Sequence, residues 1–223
     1  FPVLIKLIDA KDDLSIQVHP SDEYALKNEN SYGKTEMWYV LDATQDAKLY
    51  VGFKENMTKD VVSKALNEGK LLSYLNAFNV RRGDCFMIKS GTIHAIGKGV
   101  CLIEIQQNSN LTYRLFDYNR VGKDGNPREL HIEKALKVID YNKYEPYKET
   151  ANCLGSCKYF TSYKMDSSIK KIDASNTSFI SFTIIDGKGK VNDIEAKLGD
   201  TFFVPANQSA LLSGKFSFIL TKV

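Results

Sequence analysis

Three kinds of feature are scarce in this chain. No stretch approaches the roughly 18 apolar residues of a membrane-crossing helix, so no span is expected. Charge of one sign is missing as well. Thirty Lys and Arg against 27 Asp and Glu leave a net charge of +3, with the basic residues dispersed, which argues against a nucleic-acid partner. Four cysteines are too few for a disulfide framework in 223 residues. Cys85 and Cys101 fall in apolar, strand-like runs where buried free thiols are expected. Cys153 and Cys157, in NCLGSC, have neither the second Cys pair nor the nearby His of a zinc site. This usage fits a reducing cytoplasm. The chain opens inside an apolar run, FPVLIKLIDA, without an initiator Met, so residues upstream of Phe1 are expected. Its length and 43% hydrophobic content suit one large domain or two small ones.

Histidine is equally scarce, and its placement is informative. Two of the three sit in short polar motifs, Gln17-Val18-His19-Pro20 and Gly91-Thr92-Ile93-His94-Ala95, with Lys34-Thr35-Glu36-Met37-Trp38 between them. Alternate residues of a strand share a face, so Gln17 joins His19, and Lys34 and Trp38 join Glu36. Gln17, His19, Glu36 and His94 make a nitrogen and oxygen donor set suited to Zn²⁺ or a neighbouring metal, without thiolates. His131, in ELHIEKAL, reads as a surface or interface residue.

Strands are expected over 2–8, 13–19, 35–41, 47–52, 84–89, 100–106 and 111–117. Thr58 is the expected N-cap of a helical run over 59–76, divided at Gly69. Residues 119–127 (NRVGKDGNP) read as a loop, 129–140 as a short amphipathic helix, and 158–223 as strand-rich, with Phe179, Phe182, Phe202 and Phe203 in its core. A faint repeat links the halves: Gly83-Asp84-Cys85-Phe86-Met87-Ile88 is similar to Gly199-Asp200-Thr201-Phe202-Phe203-Val204. Aligning the glycines sets His94 against Ala210, so the second copy lacks the ligand.

Gly-x5-Lys-x-Gly-x2-His at 83–94 resembles the second cupin motif, with Lys89 where Pro is usual. Together, LSIQVHP, GKTEMWYVLDA, SGTIHAIGKG, LIEIQQNSNLTYRLFDYNR and RELHIEKAL resemble the type I phosphomannose isomerases of the short bacterial form. The resemblance runs in order from Phe1 to about Asp140. It implies a mainly β bicupin of two jelly-roll barrels: a metal-binding cupin over 1–140 with a helical insertion at about 58–77, then a degenerate cupin over 141–223.

The implied activity is a Zn²⁺-dependent interconversion of mannose 6-phosphate and fructose 6-phosphate, with one zinc per chain. By resemblance Gln17, His19, Glu36 and His94 match metal-ligand positions and Arg114 the catalytic arginine. Lys34 and Glu104 fall on further active-site positions, and Ser15 and Arg120 on groups near the sugar phosphate. Arg stays protonated, so Arg114 is expected to act electrostatically. Lys34 and Glu104 both remain open as the base. The implied partner is a small phosphorylated hexose, with no nucleic acid and no membrane, and the state a monomer or weak homo-oligomer. Two alternatives stand beside this reading: a sugar-phosphate-binding cupin without turnover, and another cupin metalloenzyme such as an Fe-dependent oxygenase.

Overall fold

Alternating apolar and polar residues make the first part of the chain a succession of short antiparallel strands. The computed structural model describes residues 1–122, 125–148, 150 and 152–223. Lys123 and Asp124 of the expected loop, and Glu149 and Ala151 of the expected second cupin, lie outside the described residues. The chain divides into two units, Val3–Pro146 and Tyr147–Val223.

The first unit carries β1 (Val3–Asp9), β2 (Ile16–Val18), β3 (Glu36–Ala43), β4 (Lys48–Phe53), β5 (Leu75–Asn79), β6 (Cys85–Ile88), β7 (His94–Ile96), β8 (Val100–Gln107) and β9 (Tyr113–Phe116). They form two sheets, ordered β1-β8-β3-β6 and β5-β4-β7-β2-β9. Trp38, Val40, Ile88 and Leu102 of the first sheet pack with Leu49, Val51 and Ile96 of the second. The faces that meet in this core also carry Glu36, His94 and Glu104. The candidate site therefore continues the core, with His19 just beyond β2 and Lys34 shortly before β3.

Among the described residues four helices decorate this unit: α1 (Asp22–Glu29), α2 (Lys59–Asn67), α3 (Leu71–Tyr74) and α4 (Ile132–Val138). Thr58 caps α2 as expected, its hydroxyl accepting from the Val61 amide at 3.3 Å. Gly69, at φ +67°, separates α2 from α3. Here two departures from expectation concern helices. The helical run ends at Tyr74, because Leu75–Asn79 pairs with β4 instead. Residues 22–29 form α1, which the apolar pattern did not indicate.

The second unit holds β10 (Cys153–Ser156), β11 (Thr161–Asp166), β12 (Lys171–Asp173), β13 (Ile180–Val191), β14 (Ile194–Lys197), β15 (Thr201–Val204) and β16 (Ser209–Lys222). They pair antiparallel in one seven-stranded sheet. Phe182 and Phe218 are fully buried in its core, with Phe202 packed against them. Phe203 is a correction: it is 49% exposed, because it pairs with Ser181 while Phe202 pairs with Phe182, and the pleat turns it to the other face. All four cysteines are free thiols. Cys85 and Cys101 are half-buried rather than buried, for they point away from the face that carries Phe86, Ile88 and Leu102.

The faint repeat has a structural counterpart. Both Gly-Asp turns have a left-handed Gly, Gly83 at φ +99° and Gly199 at +90°. Val40 exchanges backbone hydrogen bonds with Gly83 and Asp84, and Ile184 does the same with Gly199 and Asp200. Each aspartate also accepts from the amide three residues back at 2.9 Å. The same hydrogen-bond set thus launches β6 and β15.

Candidate metal centre and active site

Register builds the site. Across the five-stranded sheet, Val51, His94, Gln17 and Arg114 stand in one row of directly paired residues. On the four-stranded sheet Glu36 pairs with Gln106, and Trp38 with Glu104. Directly paired residues share a face, so each row delivers its polar side chains to the space between the sheets.

His19, Glu36 and His94 are all buried, and one ligand atom from each lies within 4.8 Å of the others. His19 Nδ1 donates to the Leu111 carbonyl at 2.9 Å and His94 Nδ1 to the Thr92 carbonyl at 2.8 Å. Those bonds fix the tautomer and leave both Nε2 lone pairs facing Glu36, at 3.7 and 3.4 Å. Burial, reinforced by Lys34, holds His19 well below the ordinary histidine range, and burial pushes His94 down to about 4. Both imidazoles are neutral at pH 7, as a ligand must be.

Glu36 is fully buried, and neither carboxylate oxygen has an aligned hydrogen-bond donor among the described residues. The cation nearest to it among the described residues is Lys34, whose Nζ lies 2.6 Å from Oε2. Burial and the nearby Glu104 raise Glu36 to about 7. A buried carboxylate without aligned donors is costly unless something else neutralises it. Two neutral imidazole lone pairs beside it are the donor set of a divalent metal, and the residues present fit one.

Lys34 is itself buried, with Nζ 3.2 Å from His19 Nε2 and 3.6 Å from Glu104 Oε1. Burial works against its charge, but Glu36 and Glu104 outweigh burial and raise it. Glu104 accepts from Lys6 at 2.8 Å and from the Trp38 indole at 3.3 Å. Burial favours its neutral form, but Lys34 and Lys6 overcome that and hold it below the usual carboxylate range. Lys6 also donates to Gln106.

The remaining expected residues adjoin this cluster. Gln17 lies 3.3 Å from His94 Nε2 and accepts from the Ser15 hydroxyl at 3.1 Å. Arg114 stands directly opposite Gln17. Arg120 is set apart, bonded to Asp117 and with its guanidinium 5.7 Å from the centre of the Tyr118 ring. His131 is half-buried, its amide donating to the Arg114 carbonyl at 2.7 Å, and so it braces β9. Lys6, Trp38 and Gln106 also serve the site. Strand alternation puts Trp38 on the face of Glu36, and Gln106 on that of Glu104. No local signal marks Lys6.

No protein-family model matches the chain. It is 38% identical over 221 residues to the probable mannose-6-phosphate isomerase GmuF of Bacillus subtilis (strain 168), covering 93% of this chain and 70% of the relative. Identity to the mannose-6-phosphate isomerase ManA of the same organism is also 38%, over 92% of this chain and 69% of the relative. The chain is an enzyme of the mannose-6-phosphate isomerase family. The crystal structure of the Bacillus subtilis mannose 6-phosphate isomerase superposes with a TM-score of 0.88 at 33% identity, covering 100% of this chain and 76% of that one. A mainly β architecture of antiparallel sheets, consistent with a cupin fold, is common ground between this family member and that structure. No helix among the described residues is long and apolar enough to cross a membrane.

Proposed function

We propose that this chain interconverts D-mannose 6-phosphate and D-fructose 6-phosphate with one Zn²⁺ per chain. The observation that carries the reading is the buried Glu36 carboxylate, without aligned donors, set between two neutral imidazoles and beside a buried lysine. Family membership supplies the sugar phosphate. His19, Glu36 and His94 would hold the metal, with Gln17 beside them as a further oxygen donor. The bound ion supplies polarisation of the sugar's carbonyl and hydroxyl oxygens.

The chain's own residues move the protons. Lys34 Nζ takes the proton from C2 of mannose 6-phosphate and returns it to C1, while the hydroxyl proton passes from O2 to O1. This requires Lys34 to enter the reaction as the neutral amine, the form toward which its burial works. Glu104 is the positioning residue. Two donors, Lys6 and Trp38, keep it ionised and aimed at Lys34. Arg114 provides a fixed cation for the enediolate charge, and Ser15 and Arg120 serve the phosphorylated end of the sugar. We further read the chain as a bicupin: residues 1–140 carry the metal with an insertion at about 58–77, and 141–223 are a second cupin without ligands. The shared Gly-Asp turn supports it. Free thiols throughout are in keeping with a cytoplasmic setting.

A coupled assay of fructose 6-phosphate formed from mannose 6-phosphate tests the reading. Turnover is expected to vanish after chelation, return with Zn²⁺, and fall in Arg114→Ala by roughly 10²–10³-fold. Sugar-phosphate binding without turnover in zinc-loaded protein would overturn the catalytic assignment.

A further inference from the structure

Two arginines converge on one aspartate just past the end of β9, outside the metal cluster. Asp117 is 4% exposed. Arg128 grips it bidentately, Nε to Oδ2 at 2.6 Å and a terminal nitrogen to Oδ1. Arg120 donates to the same Oδ1 at 3.1 Å. Backbone bonds hold the two segments together: the Arg128 amide donates to the Arg120 carbonyl at 3.4 Å and the His131 amide to the Arg114 carbonyl at 2.7 Å. Arg114 Nε is buried without a hydrogen-bond partner among the described residues.

One buried carboxylate is neutralised by one guanidinium, and the bidentate Arg128 already does that. A second guanidinium on the same oxygen brings positive charge that Asp117 alone does not balance, and that an incoming anion would. The guanidiniums remain reachable, with the side chains of Arg120 and Arg128 32% and 40% exposed. Arg114 faces Gln17 beside the metal cluster, and Asp117 follows it by three residues, just past the end of β9 at Phe116. The Arg120 and Arg128 guanidiniums are therefore held on the segment that leads directly away from the reacting site.

We propose that Asp117 and Arg128 form a preset clamp for the substrate's phosphoryl group, Asp117 aligning Arg120 and Arg128 so that Arg128 donates to the phosphoryl oxygens. The inference rests on the isomerase reading above and adds two residues to it. Asp117 is a positioning residue, and Arg128 touches the substrate.

Steady-state kinetics on the zinc-loaded full chain test it, with inorganic phosphate as a competitive probe. Arg128→Ala is expected to raise KM for mannose 6-phosphate and Ki for phosphate together, by about tenfold or more. Its kcat should change by less than about threefold, since the lost contact is uniform binding. Asp117→Asn should move both constants the same way, and Asp117→Glu should restore part of the loss. Adding Asp117→Asn to Arg128→Ala should cost little more, because the two act as one unit. A purely structural pair would lower the melting temperature and leave KM and Ki in place, which overturns the clamp. Wild-type turnover with unchanged constants in Arg128→Ala overturns this inference alone. Wild-type protein that neither turns over mannose 6-phosphate nor binds phosphate overturns the isomerase reading with it.

Discussion

At the scale of single residues, Trp38 offers a direct view of the metal centre. It is the only tryptophan in the chain and is fully buried. Its ring meets His94 edge-on at 5.3 Å between centroids, and its indole N–H is committed to Glu104. A cation seated between His19, Glu36 and His94 alters the field at that indole. Titrating Zn²⁺ into chelated protein should therefore change tryptophan emission and saturate at one ion per chain. His94→Ala should abolish the response. An emission that stays flat while metal analysis shows stoichiometric zinc would place the ion away from these three residues.

Elements impose the next constraint, and two glycines show how. Gly33 precedes Lys34 where that segment crosses the start of α1. A β-carbon on it would lie 2.4 Å from the Asp22 nitrogen and 2.6 Å from the Pro20 carbonyl oxygen. Gly69 also resists substitution, but only through its φ of +67°, since nothing lies within 4 Å. Gly69→Ala should therefore cost about 1 kcal/mol by urea unfolding and leave kcat intact. Gly33→Ala should cost about 3 kcal/mol and also lower kcat, because backbone must move where Lys34 is held against His19. Equal costs in the two variants would show that Gly33 is not a close-approach position.

The same elements explain what was legible in the sequence. Period-two alternation exposed Gln17 with His19 and Lys34 with Glu36, because each pair is local, His19 just following β2 and Lys34 shortly preceding β3. Helix α1 escaped because only Ala25 is buried, so it has no apolar stripe. Its signals were the Ser21 cap, acidic Asp22 and Glu23 in the first turn, and left-handed Asn30 at its end. Leu75 and Asn76 of β5 read as the end of the preceding helix because LLSYLNAF is apolar at either period; pairing with β4 decides it. Lys6 bonds to partners 98 and 100 residues away, and the Asp117–Arg128 pair closes across a loop. No local pattern encodes such meetings.

For the molecule as a whole, metal binding and folding are linked. The ligands come from three separate parts of the chain, residues 19, 36 and 94, so an unfolded chain offers no preformed site. A metal that binds only the folded form stabilises it by about 2.7 kcal/mol at a free concentration 100 times its Kd. At about 2–4 °C per kcal/mol for a chain of this size, zinc should raise the melting temperature by about 5–10 °C. The stabilisation originates in Val3–Pro146, since the described residues of Tyr147–Val223 hold no comparable His, Cys, Asp or Glu cluster. Calorimetry of chelated and zinc-loaded protein should show that rise in the wild type, and His94→Ala should show little of it. An equal rise in His94→Ala would move the stabilising ion to other ligands and detach the chain's stability from the centre that His19, Glu36 and His94 form.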